Sequence, residues 1–313
     1  MTPPFRTVLC AVDFGPGSER ALVQAADLSE HGHGALHLVH VEPVFRPRLG
    51  AGGRTRDDAF LPRLRLFVDR VLGAADAFEV LAPEVHGAYG QAPADGVLGC
   101  ARDVGADLIV LGTHGRQGLD HFLLGSVARD VVRRSPTPVW VVPERAAPER
   151  AAPGRGEGPR PGRPVVVAVD LSDSTVPLLR LGGAVAEARG TSVVPVHVRE
   201  APPGALVGRP SSAPGGAAPP MSRLDARAAV AEAVRGAAVE VGDADTYVVR
   251  GSPSRAIVDV AERAKAGLVV TGTHGRTGLD RLRLGSVTEW VVRHAPCPVL
   301  TVPASLVPSP RAR

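Results

Sequence analysis

One stretch of this chain has residue types and spacing suited to holding an anion. Gly112-Thr-His-Gly-Arg-Gln-Gly-Leu-Asp-His-Phe-Leu-Leu-Gly-Ser126 follows the aliphatic run Leu108 to Leu111 and leads into a helical pattern. That order places backbone N–H groups at the carboxyl end of a buried strand. Glycines let a backbone approach a ligand closely, and the first turn of a helix offers unpaired donors and the positive end of its dipole. Ser126 adds a hydroxyl at the same place. The stretch recurs 160 residues further on, from Gly272 to Ser286, identical at eleven of fifteen positions. Two phosphate cradles in one chain imply a duplicated domain.

Elements that could carry such a cradle occur in the same order in each half. Thr7 to Asp13 is a short apolar run ending in a carboxylate, and Val165 to Asp170 repeats it. Ser18 is placed to cap the helix that follows, as is Ser172 or Ser174 in the second half. Ala21, Leu22, Ala25 and Leu28 keep helical spacing. Further strands are expected at Ala35 to Glu42, Glu84 to Tyr89 and Pro138 to Val142, with helices over Leu61 to Leu72, Pro93 to Val104 and the residues after Ser126. The second half predicts helices at about Ser222 to Arg235 and Ser254 to Ala264, and strands at Thr246 to Val249, Leu268 to Thr271 and Val299 to Val302. Prolines flanking the last strand of each half suit a strand start or a sheet edge better than a sheet centre. Two Pro/Gly-rich segments, 43–58 and 200–220, hold the same place in the two halves and read as flaps over the cradles. Such alternation specifies open, largely parallel sheets with helices on both faces.

Composition narrows the function classes. A chain of 313 residues has room for two domains: 1–145 and 164–306, with a Pro/Gly/Arg linker at 146–163 and a tail at 307–313. Hydrophobic residues make up 44% but aromatics only 4%, so the cores are built from Val, Leu and Ala. Cys10, Cys100 and Cys297 are far apart and in no metal-ligand spacing. With no apolar leader after Met1 and no membrane-length apolar run, the expected location is the cytoplasm. The net charge of +4 is carried almost wholly by arginine, much of it in the linker and tail without aromatic interleaving. That pattern argues for a solvated linker and against a nucleic-acid surface.

A nucleotide is the natural ligand at the carboxyl edge of a parallel sheet, where strand order reverses. Asp13 and Asp170 would face that crevice and accept hydrogen bonds from ribose hydroxyls, although a turn aspartate is the plain structural alternative. Lys265, the only lysine, follows Ala264, so there is no phosphate-hydrolysing P-loop, and no G-x-G-x-x-G follows the first strand. Ser126 lacks the second glycine of a nucleophile elbow. His31, His33, His37 and His40 do not converge, because alternation sends His37 and His40 to opposite faces of one strand; no metal site is expected from them. His114 and His274 recur within the cradle and are assigned to fixing the loop.

The spacing G-x2-G-x9-G-S in both halves, each between an Asp-ended first strand and a Pro-x-Pro-Val final strand, resembles the ATP-binding subgroup of the universal stress protein family. The resemblance covers nearly the whole chain twice. It implies two tandem five-stranded parallel sheets of order 3-2-1-4-5, an adenine nucleotide alpha hydrolase-like fold, binding ATP without being a dedicated enzyme. Carried onto matching positions, it implies that Ala11, Val12 and Asp13 line the adenine and ribose side, with Val41 closing the base pocket. Gly112, Gly115, Gly125, Ser126 and Val127 would hold ribose and phosphates. The second set is Ala168, Val169, Asp170, Val198, Gly272, Gly275, Gly285, Ser286 and Val287. Arg116 and Arg276 follow the second glycine and could neutralise phosphate charge, with magnesium brought by the phosphates. The resemblance further implies antiparallel pairing of the two final strands, Val139 to Val142 against Val299 to Val302, and leaves a homodimer and a protein partner open. Two departures stand out: Gly267 where the first half has Asp107, and Ala92 as an extra residue. Alternatives at this stage are a nucleotide-independent interaction module of the same fold and a slow ATPase.

Overall fold

The computed structural model describes residues 4–32, 34–43, 60–74, 76–90, 92–113, 124–143, 162–200, 221–241, 246–273 and 284–306. Nearly all of both flap segments, the linker up to residue 161, the tail and residues 114–123 and 274–283 of the cradles lie outside them.

The first repeat runs β1 (Thr7–Ala11), α1 (Pro16–Gly32), β2 (Ala35–Pro43), α2 (Leu61–Leu72), α3 (Ala77–Leu81), β3 (Glu84–Gly90), α4 (Pro93–Asp103), β4 (Leu108–Gly112), α5 (Ser126–Arg134) and β5 (Val139–Val142). The second runs β6 (Val165–Val169), α6 (Thr175–Ala188), β7 (Val193–Arg199), α7 (Arg223–Ala237), β8 (Tyr247–Arg250), α8 (Pro253–Arg263), β9 (Leu268–Gly272), α9 (Ser286–His294) and β10 (Val299–Val302), followed by a 3₁₀ turn at Ala304–Leu306. No described helix is long and apolar enough to cross a membrane.

Within each repeat the strand order is the expected 3-2-1-4-5, but the two sheets are not separate. They form one ten-stranded sheet ordered β3-β2-β1-β4-β5-β10-β9-β6-β7-β8. All pairs are parallel except β5 with β10, which run antiparallel with Trp140 opposite Leu300. Of the two places that flanking prolines suit, a strand start and a sheet edge, the structure shows the first: β5 and β10 lie at the sheet's centre, paired as the resemblance implies. The prolines are tolerated because they stand outside the ladder. Pro138 precedes β5 and uses only its carbonyl, which accepts from Ile109 N at 3.0 Å, and Pro298 does the same for Val269 N.

Central strands are buried on both faces, which is why they read as continuous aliphatic runs. Val8 and Cys10 pack with α1 and α2 residues such as Leu22 and Leu64, while Leu9 packs oppositely with Val97 of α4 and Val131 of α5. Burial pushes the Cys10 thiol up to about 12. Trp140 is fully buried at the junction of the repeats, with the Arg189 guanidinium 4.8 Å from its ring. Arg189 also reaches Gln24 at 3.5 Å and Asp27 at 3.8 Å, so the end of α6 is tied to α1 across the seam.

The departure at Gly267 has a local cause. Asp107 accepts from Arg6 N at 2.8 Å and Thr7 N at 3.0 Å, holding the start of β1. The position equivalent to Thr7 is Pro164, which has no N–H to offer, and there Gly267 N simply donates to the Pro164 carbonyl at 3.0 Å. A Cβ at 267 would also stand 3.0 Å from that of Arg163.

Candidate functional site

The chain winds from β1 through β2 to β3 on one side and, from β4 to β5, on the other, so the carboxyl end of β1 borders the crevice where strand order reverses. Two residues past β1 stands Asp13. Its Oδ1 accepts from Gly15 N at 2.9 Å and from the Ser18 hydroxyl, and Ser18 Oγ in turn accepts from Asp13 N at 2.9 Å. Ser18 therefore anchors the aspartate and is not the cap expected for it. The helix starts earlier, at Pro16, whose fixed φ suits a first helical position.

Asp170 repeats the turn. Its Oδ1 accepts from Ser172 N at 3.0 Å and Ser172 Oγ at 2.5 Å, and Ser172 is 2.7 Å from the Ser174 hydroxyl. Ser174 is the N-cap residue of α6, with no side-chain capping bond. The counterpart of Ser18 is Thr175, whose buried hydroxyl has no hydrogen-bond partner among the described residues, and neither does Asp170 Oδ2. One carboxylate oxygen thus makes the turn while the other is buried with no partner among the described residues. The residues that follow, Phe14 and Leu171, both have positive φ, 65° and 62°, a strained conformation for such side chains that recurs at this one turn.

Two further residues position the aspartates. His40 Nδ1 lies 2.7 Å from the Val12 carbonyl and His197 Nδ1 2.9 Å from that of Val169. A carbonyl only accepts, so in both rings Nδ1 carries the proton. Both histidines are buried and hold the carboxyl end of their first strand one residue before the carboxylate. In sequence, His40 is weighed only as a metal ligand and His197 is not singled out; the signal for their shared role is a histidine at equivalent positions of the two second strands. As expected, His40 and His37 point to opposite faces.

The cradles are pinned at both ends. Thr113 N donates to Val142 O at 3.2 Å and Thr113 O accepts from Gly125 N at 2.7 Å; Thr273 and Gly285 repeat this at 3.0 and 3.1 Å. Gly125 and Gly285 are the N-cap residues of α5 and α9, and neither helix has a side-chain cap. Ser126 and Ser286 are exposed in the first turns, beside half-buried Val127 and Val287. Gly112 has a packing reason: a Cβ there would sit 2.5 Å from the Gly17 carbonyl carbon in α1. Gly115, Arg116, Gly275 and Arg276 lie outside the described residues, as do His114 and His274.

Apolar residues complete the wall. Ala11, Val41 and Val127 are half-buried on one face of the sheet, the face covered by α4 and α5, and Ala168, Val198 and Val287 correspond to them. Val12 and Val169 are buried and turn to the other face. Room beside Val41 depends on Gly96 of α4, where a Cβ would meet both Val41 methyls at 2.9 Å. Each repeat thus brings a carboxylate, an uncapped helix N-terminus and an apolar wall to one edge of its sheet.

A family model described as the universal stress protein family matches residues 4–143 and again 162–303. The chain belongs to this family. As a tandem universal stress protein it is 34% identical over 203 residues to a universal stress protein of Mycobacterium bovis, an alignment covering 62% of this chain and 61% of the relative. It is 35% identical over 141 residues to one from Thermus aquaticus, covering 44% of this chain and 96% of that protein. A 57-residue match at 53% identity to a Methanocaldococcus jannaschii universal stress protein covers 18% of this chain and 34% of the relative. The chain therefore spans about three-fifths of the mycobacterial relative. A crystal structure of a universal stress protein from Archaeoglobus fulgidus superposes with a TM-score of 0.62 at 19% identity, covering 96% of this chain and 97% of that one, which establishes likeness of fold.

Proposed function

We propose that each repeat binds one ATP at the carboxyl edge of its strands, and that occupancy acts as a signal read by a protein partner in a stress response. The observation that carries this is Asp170 Oδ2, buried beside the turn it builds with no hydrogen-bond partner among the described residues. An unsatisfied buried acceptor costs about 1–3 kcal/mol, and a ribose hydroxyl donated into it removes that cost. The uncapped first turns of α5 and α9 suit phosphate oxygens, and the half-buried wall of Ala168, Val198 and Val287 suits a purine ring. Magnesium would arrive on the phosphates and complete its shell with water.

Binding in place of turnover is supported by where the lone lysine stands. Lys265 lies in the turn after α8, before β9 begins, at the opposite end of that strand from the cradle. Competition titration tests the proposal. ATP is expected to bind and inorganic tripolyphosphate to displace it poorly, while Asp170→Ala weakens the second site by roughly 10–150-fold, the worth of a hydrogen bond to a charged group. Tripolyphosphate competing as well as ATP, or unchanged affinity in Asp170→Ala, would reject it.

A further inference from the structure

At the amino-terminal side of the same sheet, away from the cradles, three side chains of the first repeat converge. His37 lies on β2, and Glu84 and His86 lie on the outermost strand β3, with His37 directly opposite Glu84 in the register. His37 Nδ1 is 3.0 Å from His86 Nε2 and 3.6 Å from Glu84 Oε2, and one ligand atom from each residue falls within 4.8 Å of the others. We propose that this cluster is a zinc site, one per chain, that joins the edge strand to its neighbour.

The chemistry matches the donor set. Two imidazoles and one carboxylate are zinc ligands, and bonds of about 2.0–2.2 Å in tetrahedral geometry put neighbouring donor atoms roughly 3.3–3.5 Å apart. Two of the three separations, 3.0 and 3.6 Å, bracket that spacing, and the third, between Glu84 and His86, lies within 4.8 Å. Without metal, one proton lies between the two ring nitrogens; zinc takes its place and leaves a fourth position for water. Duplication supplies an internal comparison. His86 pairs in register with Val39, as Tyr247 does with Val196, so the second repeat has Val194 and Tyr247 where the first has His37 and His86. A valine fills that core position, so a 6% exposed imidazole there is not required for packing. The cluster is also separate from the nucleotide crevice. His37 precedes Val41 by four residues on β2, about 13 Å along a strand. Bridging β3 to β2 would fix one of the two strands that end the sheet among the described residues, where local opening is otherwise easiest.

The test uses the full chain, stripped with chelator and titrated with zinc against a chromogenic competitor, with cobalt as a spectroscopic probe. One tight zinc equivalent and a tetrahedral cobalt spectrum are expected. Glu84→Gln, His86→Ala and His37→Val should each weaken zinc by more than the roughly 10–100-fold that loss of an outer-shell partner costs, with ATP binding unchanged. Glu84 is 70% exposed, so Glu84→Gln decides the matter even where the buried His37→Val folds poorly. Zinc held equally by the parent, Glu84→Gln and His86→Ala, or no tight equivalent in the parent, overturns the proposal.

Discussion

Replacing Gly112 with alanine should damage the first site through backbone packing alone. An ideal Cβ at this residue lies 2.5, 2.6 and 2.7 Å from the C, O and Cα of Gly17. All three atoms are backbone, so no side-chain rotation relieves the overlap. Ordinary contact begins near 3.4 Å, so the first turn of α1 and the end of β4 must separate by about 1 Å, at a cost in the ~1–3 kcal/mol range of overpacked cores. That turn carries Ser18, whose 2.9 Å bond to Asp13 N and bond to the Asp13 carboxylate cannot both survive such a displacement. Gly99 of α4 is the matched control, because a Cβ there meets nothing within 4 Å among the described residues. Gly99→Ala should stabilise by about 0.5–1 kcal/mol through helix propensity. Urea unfolding of the two variants should therefore move the midpoint in opposite directions. ATP titration should show the first site weakened in Gly112→Ala and the second intact. A Gly112→Ala protein as stable as the parent, with both sites unchanged, would refute the packing argument.

Other outcomes follow from single contacts. His40→Phe and His197→Phe should each leave a buried carbonyl, that of Val12 or Val169, without its donor, costing ~1–3 kcal/mol in urea unfolding and lowering ATP affinity only in the repeat that carries the change. Ser222 accepts from Asp225 N at 3.1 Å as the N-cap of α7, so Ser222→Ala should lose about 0.5–2 kcal/mol with no effect on ATP binding. A maleimide at pH 8 should label half-buried Cys100 while Cys10, with its thiol pushed up to about 12, reacts only after unfolding; rapid Cys10 labelling of native protein would contradict its burial.

Much of the fold was legible because it rests on local and periodic signals. Short aliphatic runs such as Leu108 to Leu111, closed by glycine, read as doubly buried strands, and the spacing of Leu64, Phe67, Val68 and Val71 marks one face of a helix. The duplication then doubled each inference. The antiparallel pairing of β5 with β10, with Thr301 Oγ1 donating to Val139 O at 3.2 Å, is as the family resemblance implies; strand composition alone does not encode a partner. Other features escaped. Five-residue α3 is too short to show a period. The serine code for helix caps pointed to Ser18, yet proline at 16 had already started the helix and left that hydroxyl for Asp13. At the site, the aspartate and apolar residues were visible in the motif. The histidines behind them show in sequence only as a repeat at equivalent strand positions, which does not reveal the carbonyl that each ring bonds.

Equilibrium dialysis of ATP against the full chain tests the central claim most directly, with Gly125→Val and Gly285→Val made separately. Two ATP per chain in the parent, and one in each variant, is the predicted result. Saturation at two in both variants, or no binding by the parent at millimolar ATP, would contradict it.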